Sequence, residues 1–450
     1  MPALVLLARL VPDVTRKPWH EDEAVAGLIS ARPLPDVIHT VVVDRGGAPL
    51  HFLLAHVAFA IDGSATTLRW LSVVFALATV IVCHDLARLL AGRLAGLTAA
   101  SLAATSQLLT VYGTFGRMYS LFAFVSALSL DLFVRATERP SRGRLAAAGV
   151  AALLTLLVHP FGVFVFVAEL AVAVWLWRAR AAALAVVAAP LVSPYLRLPG
   201  RFAPDVGMSA PEATLRALGG SAGGFGIGLA LFAALAVVGA WQLPRAFAAL
   251  GLLVIALPAL ALTLLTRADL SPRHLIFMLP IWTTFVATGL AKLPFAVPVA
   301  AAALAVAVLA PTVVADPRTS PAGQAGAVAA PAAWIRDHVE PGDLLYPYSP
   351  VFLAALPRTE LARSLPREPV ALSRALRRTG DVHAVFVAIP LSSPILRGVP
   401  GAHVFRSWLI VQHRGSFAGV PRLLARLAPE LEGTSAYAGL LQLRGAACRC

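Results

Sequence analysis

Apolar runs alternate with short polar breaks along most of the chain. We predict a spanning helix for each long run, because a helix needs about 20 apolar residues to cross the hydrocarbon core of a bilayer. We expect run 1–11 to be the end of a first span whose beginning is missing, which brings the total to about 11 spans. The other predicted spans are 68–90, 94–111, 118–134, 145–158, 163–177, 181–195, 225–241, 247–266, 274–290 and 294–314.

The apolar run 48–61 is too short to cross a bilayer, and we predict that it lies at the membrane surface as a helix. The short basic loops near Arg88, Arg135 and Arg178 then all fall on one side, which the positive-inside rule makes the cytoplasm. Polar residues from distant parts of the chain consequently meet on the extracytoplasmic face, which indicates a site there. They are Asp22, Glu23, Asp44, Tyr112, Arg117, Tyr119, His159 and the loop 267–274.

Composition agrees with a membrane protein and excludes several other classes. Of 450 residues, 58% are hydrophobic and 13% are charged, whereas soluble domains have about 25% charged residues. The net charge of +14 comes largely from arginines in the loops between apolar runs, so we expect no nucleic-acid partner. Cys448 and Cys450 could supply only two metal ligands, which do not make a site.

From about Asp316 the composition changes, and the stretch "DPRTSPAGQAG" is typical of a linker. Beyond it, "AAWIRDHV" predicts a short helix, and "LLYPYS", "VHAVFVAI" and "FRSWLIVQ" predict strands. We therefore predict a mainly α, polytopic helical membrane domain over 1–315, with a first external loop over 12–67. A small extracytoplasmic α/β domain follows over 316–450.

Residue types alone leave two interpretations open for each candidate residue. Asp22 and Glu23 are carboxylates beside a membrane, but Asp22 could simply cap the following helix, with Glu23 in its first turn. Arg117 and Arg273 could bind a phosphate through their forked guanidinium groups or extend toward the membrane surface. His159 precedes a proline and could be a ligand or an ordinary helix-end residue.

The order of the motifs resembles one superfamily over roughly residues 17–290. "WHEDEAVAG", "APLHFLLAHVAFAIDG", "TLRWLS", "YGTFGRMYS" and "RHLIFMLP" follow one another as related segments do in GT-C membrane glycosyltransferases, among them the protein O-mannosyltransferase and aminoarabinose-transferase relatives. The usual pattern there is Trp-x-Asp-Glu-Ala, a Pro-Pro-Leu-Tyr surface helix, an Arg-x-x-Ser span start, a Glu-Ala-Arg-x-Tyr break and a later Arg-Tyr-Leu segment.

The resemblance implies a polyprenyl-phosphate sugar as donor and an extracytoplasmic hydroxyl on a protein, lipid or cell-wall glycan as acceptor. It implies that Asp22 is the general base, with Glu23 as its companion, and that Arg117 and Arg273 bind the donor phosphate. His159 resembles a histidine with metal or donor contact. Other residues that we place at the site are Asp44, His51, Tyr119 and His274.

The chain also departs from the pattern. Ala48 replaces the first proline, His51 replaces the tyrosine, and Phe115 and Gly116 stand where an acid is usual. No acid directly precedes Ala48-Pro49, so a metal site built on one is doubtful, and the resemblance implies no certain cofactor beyond an optional divalent cation. The expected reaction is a single inverting displacement of a hexose resembling mannose, at the outer face of the cell membrane.

Two other classes of function stay open at this point. One is a transporter or flippase of lipid-linked intermediates, which should place polar residues deep within its spans, whereas here they gather at one face. The other is a catalytically degenerate membrane scaffold, which the departures from the motif allow. Neither the sugar nor the acceptor follows from residue spacing.

Overall fold

The computed structural model describes residues 1–17, 20–44, 47–177, 208–265, 270–315, 328–339, 344–346, 351–352, 384–390, 402–405 and 408–414. The chain divides into two compact units, one of Met1–Arg16 and Ile29–Asp316, the other of Lys17–Leu28 and Pro317–Cys450. The predicted span 181–195 and the residues 266–269 lie outside the described residues.

The first unit is built from helices, and their bounds follow the apolar runs. A π-helical turn, His39–Asp44, separates α3 from α4, and a 3-10 turn, Pro272–Met278, leads directly into α14. The helices are α1 Pro2–Arg16, α2 Glu21–Ser30, which begins in the other unit, α3 Leu34–Ile38, α4 Leu50–Ile61, α5 Ala65–Ala91, α6 Arg93–Thr105, α7 Gln107–Tyr112, α8 Tyr119–Glu138, α9 Arg142–Val158, α10 Gly162–Trp177, α11 Ala210–Ser221, α12 Ile227–Gln242, α13 Arg245–Leu265, α14 Leu279–Ala291 and α15 Ala296–Leu309.

Several of these helices have the length and composition of membrane spans. Within the described residues, four are long and apolar enough to cross, namely Ala65–Ala91, Tyr119–Glu138, Arg245–Leu264 and Pro272–Ala291. Shorter apolar helices accompany them, including α4, whose 12 residues are too few to cross, as expected. The chain is a multi-pass membrane protein, and the total of about 11 spans stays a prediction.

The predicted span 94–111 is two helices rather than one. The break falls at Ser106, whose hydroxyl donates to the Gly220 carbonyl at 2.9 Å and accepts from the Leu109 N–H, at the start of α7. A serine that bonds outside its own helix offers the backbone an alternative to continuing the helix. The hydropathy pattern carries no trace of this bond, because Gly220 lies 114 residues away.

Helix α14 is the centre of the first unit. Every side chain from Leu279 to Leu290 is buried, which is typical of a helix enclosed by other helices. It packs most closely on α12, where both helices carry a glycine: a Cβ on Gly239 would lie 1.8 Å from the Phe285 carbonyl oxygen, and one on Gly289 would lie 2.1 Å from that of Leu235. Small residues at such a crossing let two backbones approach within a membrane.

An ion-pair cluster joins α5 to α8 near the C-terminal ends of both helices. Arg135 donates to Asp85 and, at 2.7 Å, to Asp131, while Arg88 donates to Asp85 at 2.8 Å. This cluster lies far along both helices from the loop that carries Arg117 just before α8. The assignment of the two ends to the cytoplasmic and extracytoplasmic faces stays a prediction.

The second unit contains a small mixed sheet. Its strands are β1 Leu344–Tyr346, β2 Ala384–Pro390, β3 Ala402–Val404 and β4 Trp408–Arg414, in the order β1-β2-β4-β3. The pair β1 and β2 is parallel, and the other two pairs are antiparallel. With helix α16, Ala329–His338, these strands agree with the predicted α/β class; β3 was not predicted.

We predict that Gly239→Ala lowers the free energy of unfolding by about 3 kcal/mol, because the added methyl group forces α12 away from α14. Gly149→Ala, in α9, is the matched control, since no atom lies within 4 Å of its Cβ. There the better helix propensity of alanine should leave stability unchanged or raised by about 1 kcal/mol. Thermal unfolding in detergent measures both; equal effects would contradict the close crossing.

Candidate functional site

The loop between α7 and α8 is held at the N-terminal end of α5. Ser72, in the first turns of α5, donates to the Phe115 carbonyl at 2.7 Å, and Ser120 donates to the Tyr112 carbonyl at 2.7 Å. The Phe115 ring stacks on that of Tyr119, with centroids 6.1 Å apart. These bonds fix the backbone on both sides of Arg117.

Two more segments reach the same place from distant parts of the chain. His159 ends α9, and its ring lies 6.2 Å from the ring of Tyr119. The 3-10 turn brings in His274, 5.9 Å from His159 and 6.2 Å from Tyr119, between ring centroids. Beside it, the guanidinium carbon of Arg273 lies 5.5 Å from the centre of the Tyr119 ring, as a cation–π contact.

The backbone decides which nitrogen of each of these two histidines carries the proton. The Phe161 N–H donates to His159 Nδ1 at 3.1 Å, and the Ser271 N–H donates to His274 Nδ1 at 3.3 Å. A ring nitrogen that accepts a hydrogen bond has no proton, so a neutral imidazole of this kind carries its proton on Nε2. Both histidines therefore offer an N–H donor.

His51 joins the site from α4, and its hydrogen bond to the backbone differs from those of His159 and His274. It is 1% exposed, and it makes a hydrogen bond with the backbone of Gly116, next to Arg117. The guanidinium carbon of Arg117 lies 5.9 Å from the centre of the neighbouring Phe52 ring. Among the described residues, the Nε2 atom of His51 has no hydrogen-bond partner.

Burial and two nearby arginines determine the electrostatics of this cluster. Burial and the charge of Arg117 together lower the pKa of His51 to about 3, against the hydrogen bond to Gly116, which raises it. Burial likewise lowers the pKa of His159 to about 3, with Arg117 and Arg273 as further causes. The charges of both guanidinium groups therefore act on His159, and the rings of His51 and His159 stay neutral at physiological pH.

The acidic pair belongs to the other unit, where its two members have different environments. Glu23 is 1% exposed, and its Oε2 accepts the His20 N–H at 3.0 Å, so it closes the first turn of α2 as the acid of a capping box. His20, rather than Asp22, supplies the capping side chain: its Nδ1 accepts the Asp22 N–H at 3.0 Å. Asp22 keeps about a third of its side chain exposed.

Of the candidates from the sequence, the structure thus brings together His51, Arg117, Tyr119, His159, Arg273 and His274 in the first unit. The roles implied for them, and for Asp22 and Glu23, stay predictions.

Comparisons with known proteins point to the same superfamily. Residues 46–197, about a third of the chain, match the family model described as dolichyl-phosphate-mannose-protein mannosyltransferase. The fold is similar to that of ArnT from Cupriavidus metallidurans, both bound to undecaprenyl phosphate (TM-score 0.58) and in the apo state (TM-score 0.60). In each case the identity is 15%, over 91% of this chain and 96% of that one. No curated protein matches the chain.

The chain has the GT-C fold. The order of the motifs in the sequence and the arrangement of the helices therefore indicate the same fold.

One buried arginine of this GT-C unit was not among the candidates. Arg69 is 2% exposed and donates to the Val14 carbonyl at 3.1 Å, one turn before Ser72 in α5. It is the arginine of the Arg-x-x-Ser segment, so the motif contained the signal. Asp44 ends the π-helical turn, and its side chain lies outside the described residues.

The described residues of this GT-C chain hold no group of three or more His, Cys, Asp or Glu side chains that could bind a metal ion. The Nδ1 atoms of His159 and His274 accept backbone hydrogen bonds, and their Nε2 atoms carry protons, so this pair as arranged suits an anion better than a cation. The optional divalent cation gains no support from these residues.

The sequence predicts that polar residues gather at one face of the membrane, but one of them lies deep within the first unit. Glu169, in the middle of α10, is 3% exposed, and both its carboxylate oxygens lie within hydrogen-bond distance of the Ser129 hydroxyl, at 2.8 and 2.9 Å. That expectation was wrong because a single glutamate barely changes the hydropathy of an apolar run. A carboxyl group this deep in a spanning helix needs a polar partner from another helix.

We predict that acid destabilises the protein partly through His51 and His159. Their pKa is 6.5 when unfolded and about 3 when folded, so the unfolded chain binds the protons first as the pH falls. The contribution of the two neutral histidines to the free energy of unfolding is therefore complete above pH 6.5 and is lost progressively as the pH falls toward 3. His159→Gln should make the loss shallower by up to about 1.4 kcal/mol per pH unit. Unfolding measured across this range tests it; equal slopes for wild type and variant would contradict it.

Proposed function

We propose that the protein is an integral membrane glycosyltransferase that moves a hexose resembling mannose from a polyprenyl-phosphate sugar to an extracytoplasmic hydroxyl group. One observation carries the proposal: the charges of Arg117 and Arg273 both act on His159, whose ring lies beside those of Tyr119 and His274. The two histidines each carry an Nε2–H donor. A site of positive charge and N–H donors suits a phosphate, which only accepts hydrogen bonds when it is ionised.

The alternative for the two arginines is that they extend to the membrane surface. Their surroundings favour binding instead, because Arg273 lies over the ring of Tyr119 and Arg117 lies by the ring of Phe52. Both charges also lower the pKa of the buried His159. A phosphate near this ring could accept hydrogen bonds from both guanidinium groups.

The reaction that fits is a single displacement at the anomeric carbon. The acceptor oxygen bonds to this carbon as the bond to the phosphate oxygen breaks, and the anomeric centre is inverted. The polyprenyl phosphate leaves with increased negative charge, which the guanidinium groups and the imidazole N–H donors stabilise. The proton of the acceptor hydroxyl passes to a carboxylate, for which Asp22 is the candidate. Glu23 is less suited, since its carboxylate already caps α2.

The comparisons support the class of donor. The matching family model is described by a dolichyl-phosphate-mannose donor and a protein acceptor, and the ArnT structure contains undecaprenyl phosphate. Both are isoprenoid phosphates, which agrees with a phosphate site in a membrane unit. Mannose, the hydroxyl acceptor, the plasma membrane and the extracytoplasmic face are parts of the proposal.

A flippase of lipid-linked intermediates is the second candidate, and Glu169 is the observation in its favour. A carboxyl group in mid-span is usual where polar substrates or ions cross a membrane. Its pairing with Ser129 favours a structural role instead, because the hydroxyl group of another helix lies within hydrogen-bond distance of both carboxylate oxygens and can donate its one proton to either.

We predict that Asp22→Asn abolishes transfer while leaving stability nearly unchanged, since about a third of its side chain is exposed and asparagine has nearly the same shape. In contrast, Glu23→Ala should lower the free energy of unfolding by about 1 kcal/mol, because it removes the cap of α2. The measurement is transfer of radiolabelled mannose from its polyprenyl phosphate to a membrane extract by purified protein in lipid, with thermal unfolding of each variant. Equal transfer by wild type and Asp22→Asn would remove Asp22 as the base.

We also predict that Arg117→Lys and Arg273→Lys each weaken binding of undecaprenyl phosphate about tenfold or more, because lysine keeps the charge and loses the fork. Arg88→Lys is the matched control, as it lies toward the other end of α5 and should leave the affinity unchanged. Binding of the lipid to purified protein in nanodiscs measures all three. Equal losses for the three variants would show that the lipid is held by surface charge rather than at this site.

A further inference from the structure

The two ring nitrogens of His51 have different roles that follow from their partners. The ring makes a hydrogen bond with the backbone of Gly116, and this bond favours the protonated ring, so it runs from a ring N–H to the Gly116 carbonyl. Because Nε2 has no partner among the described residues, the donor is Nδ1. The neutral ring then has its lone pair on Nε2, as an acceptor.

His51 is thus an acceptor beside a site made of donors. A buried acceptor that no protein group satisfies is costly, and a ligand that supplies a donor regains that cost. Of the parts of a polyprenyl-phosphate sugar, the ionised phosphate has no proton to donate and the isoprenoid chain has none to offer. Only the sugar carries hydroxyl groups.

A role for His51 as a proton-accepting base is disfavoured. The Arg117 charge and the burial that lower its pKa to about 3 also make it a weak base at neutral pH. These same causes keep it neutral, so its lone pair stays available for a hydrogen bond.

We propose that His51 Nε2 accepts a hydrogen bond from one hydroxyl of the sugar on the lipid donor and so contributes to the choice of sugar. The inference rests on the proposed function, since it takes the phosphate to lie at Arg117, one residue after the Gly116 carbonyl that orients His51. Because His51 is 1% exposed, neighbouring side chains have to move to admit the sugar, while the bond between His51 and Gly116 is kept. The tyrosine that is usual at this position in related motifs can both donate and accept a hydrogen bond. His51 Nε2 can only accept one, so it fits only a sugar group that donates a hydrogen bond.

The test measures binding without an acceptor, so it needs no turnover. The probes are undecaprenyl phosphate, its mannose, glucose and aminoarabinose esters, and analogues of the tightest of these that each lack one hydroxyl. Wild type is compared with His51→Phe, which keeps the aromatic contact with Phe52, and with His56→Phe, whose ring lies on the same helix and bonds to the Ser30 carbonyl.

In wild type and in His56→Phe, we expect loss of one particular hydroxyl to weaken binding about tenfold or more relative to the complete sugar ester. In His51→Phe, loss of that same hydroxyl should change the affinity less than about twofold, since its partner is already gone. If every deoxygenated analogue loses the same factor in wild type and His51→Phe, the inference is wrong while the proposed function stands. If wild type does not bind undecaprenyl phosphate at all, the phosphate site and this inference both fail.

Discussion

The burial of α14 is the constraint on which the candidate site most depends. Its side chains are enclosed on all sides, and its crossing with α12 is tight enough that two glycines are needed. The 3-10 turn that carries Arg273 and His274 continues directly into α14. The packing of this helix therefore also fixes the position and orientation of those two residues. A rigid helix beneath a binding group keeps it oriented before a ligand arrives.

Around that anchor, the site combines fixed charge with neutral donors. Adding more cations would raise mutual repulsion in a buried place, whereas neutral imidazole N–H groups add hydrogen bonds without adding charge. The backbone N–H groups of Phe161 and Ser271 make this possible, because they fix the proton of each ring on Nε2. Local backbone geometry thus determines the polarity of the site.

The acidic stretch near the N-terminus shows why neighbouring residues of one type need not share a role. Glu23 turns back to the start of α2 and is buried, while Asp22 is left partly exposed after its backbone N–H bonds to His20. The sequence allows Asp22 as the cap, but His20 takes this role because its imidazole nitrogen reaches the N–H two residues on. A histidine is an unusual cap, so pattern alone gave no reason to choose it.

The sequence by itself determined the membrane class, most helix bounds and the α/β class of the second unit, since hydropathy period and turn chemistry are local properties. It predicted Arg117, His159 and Arg273 as candidates because they fall on one predicted face of the membrane and match the order of known motifs. Only the tertiary structure decided that both arginines act on His159, that α6 and α7 part at Ser106, and that Glu169 pairs with Ser129. Each of these depends on contacts between residues far apart in the chain, and no local pattern encodes which partner a buried polar group will find.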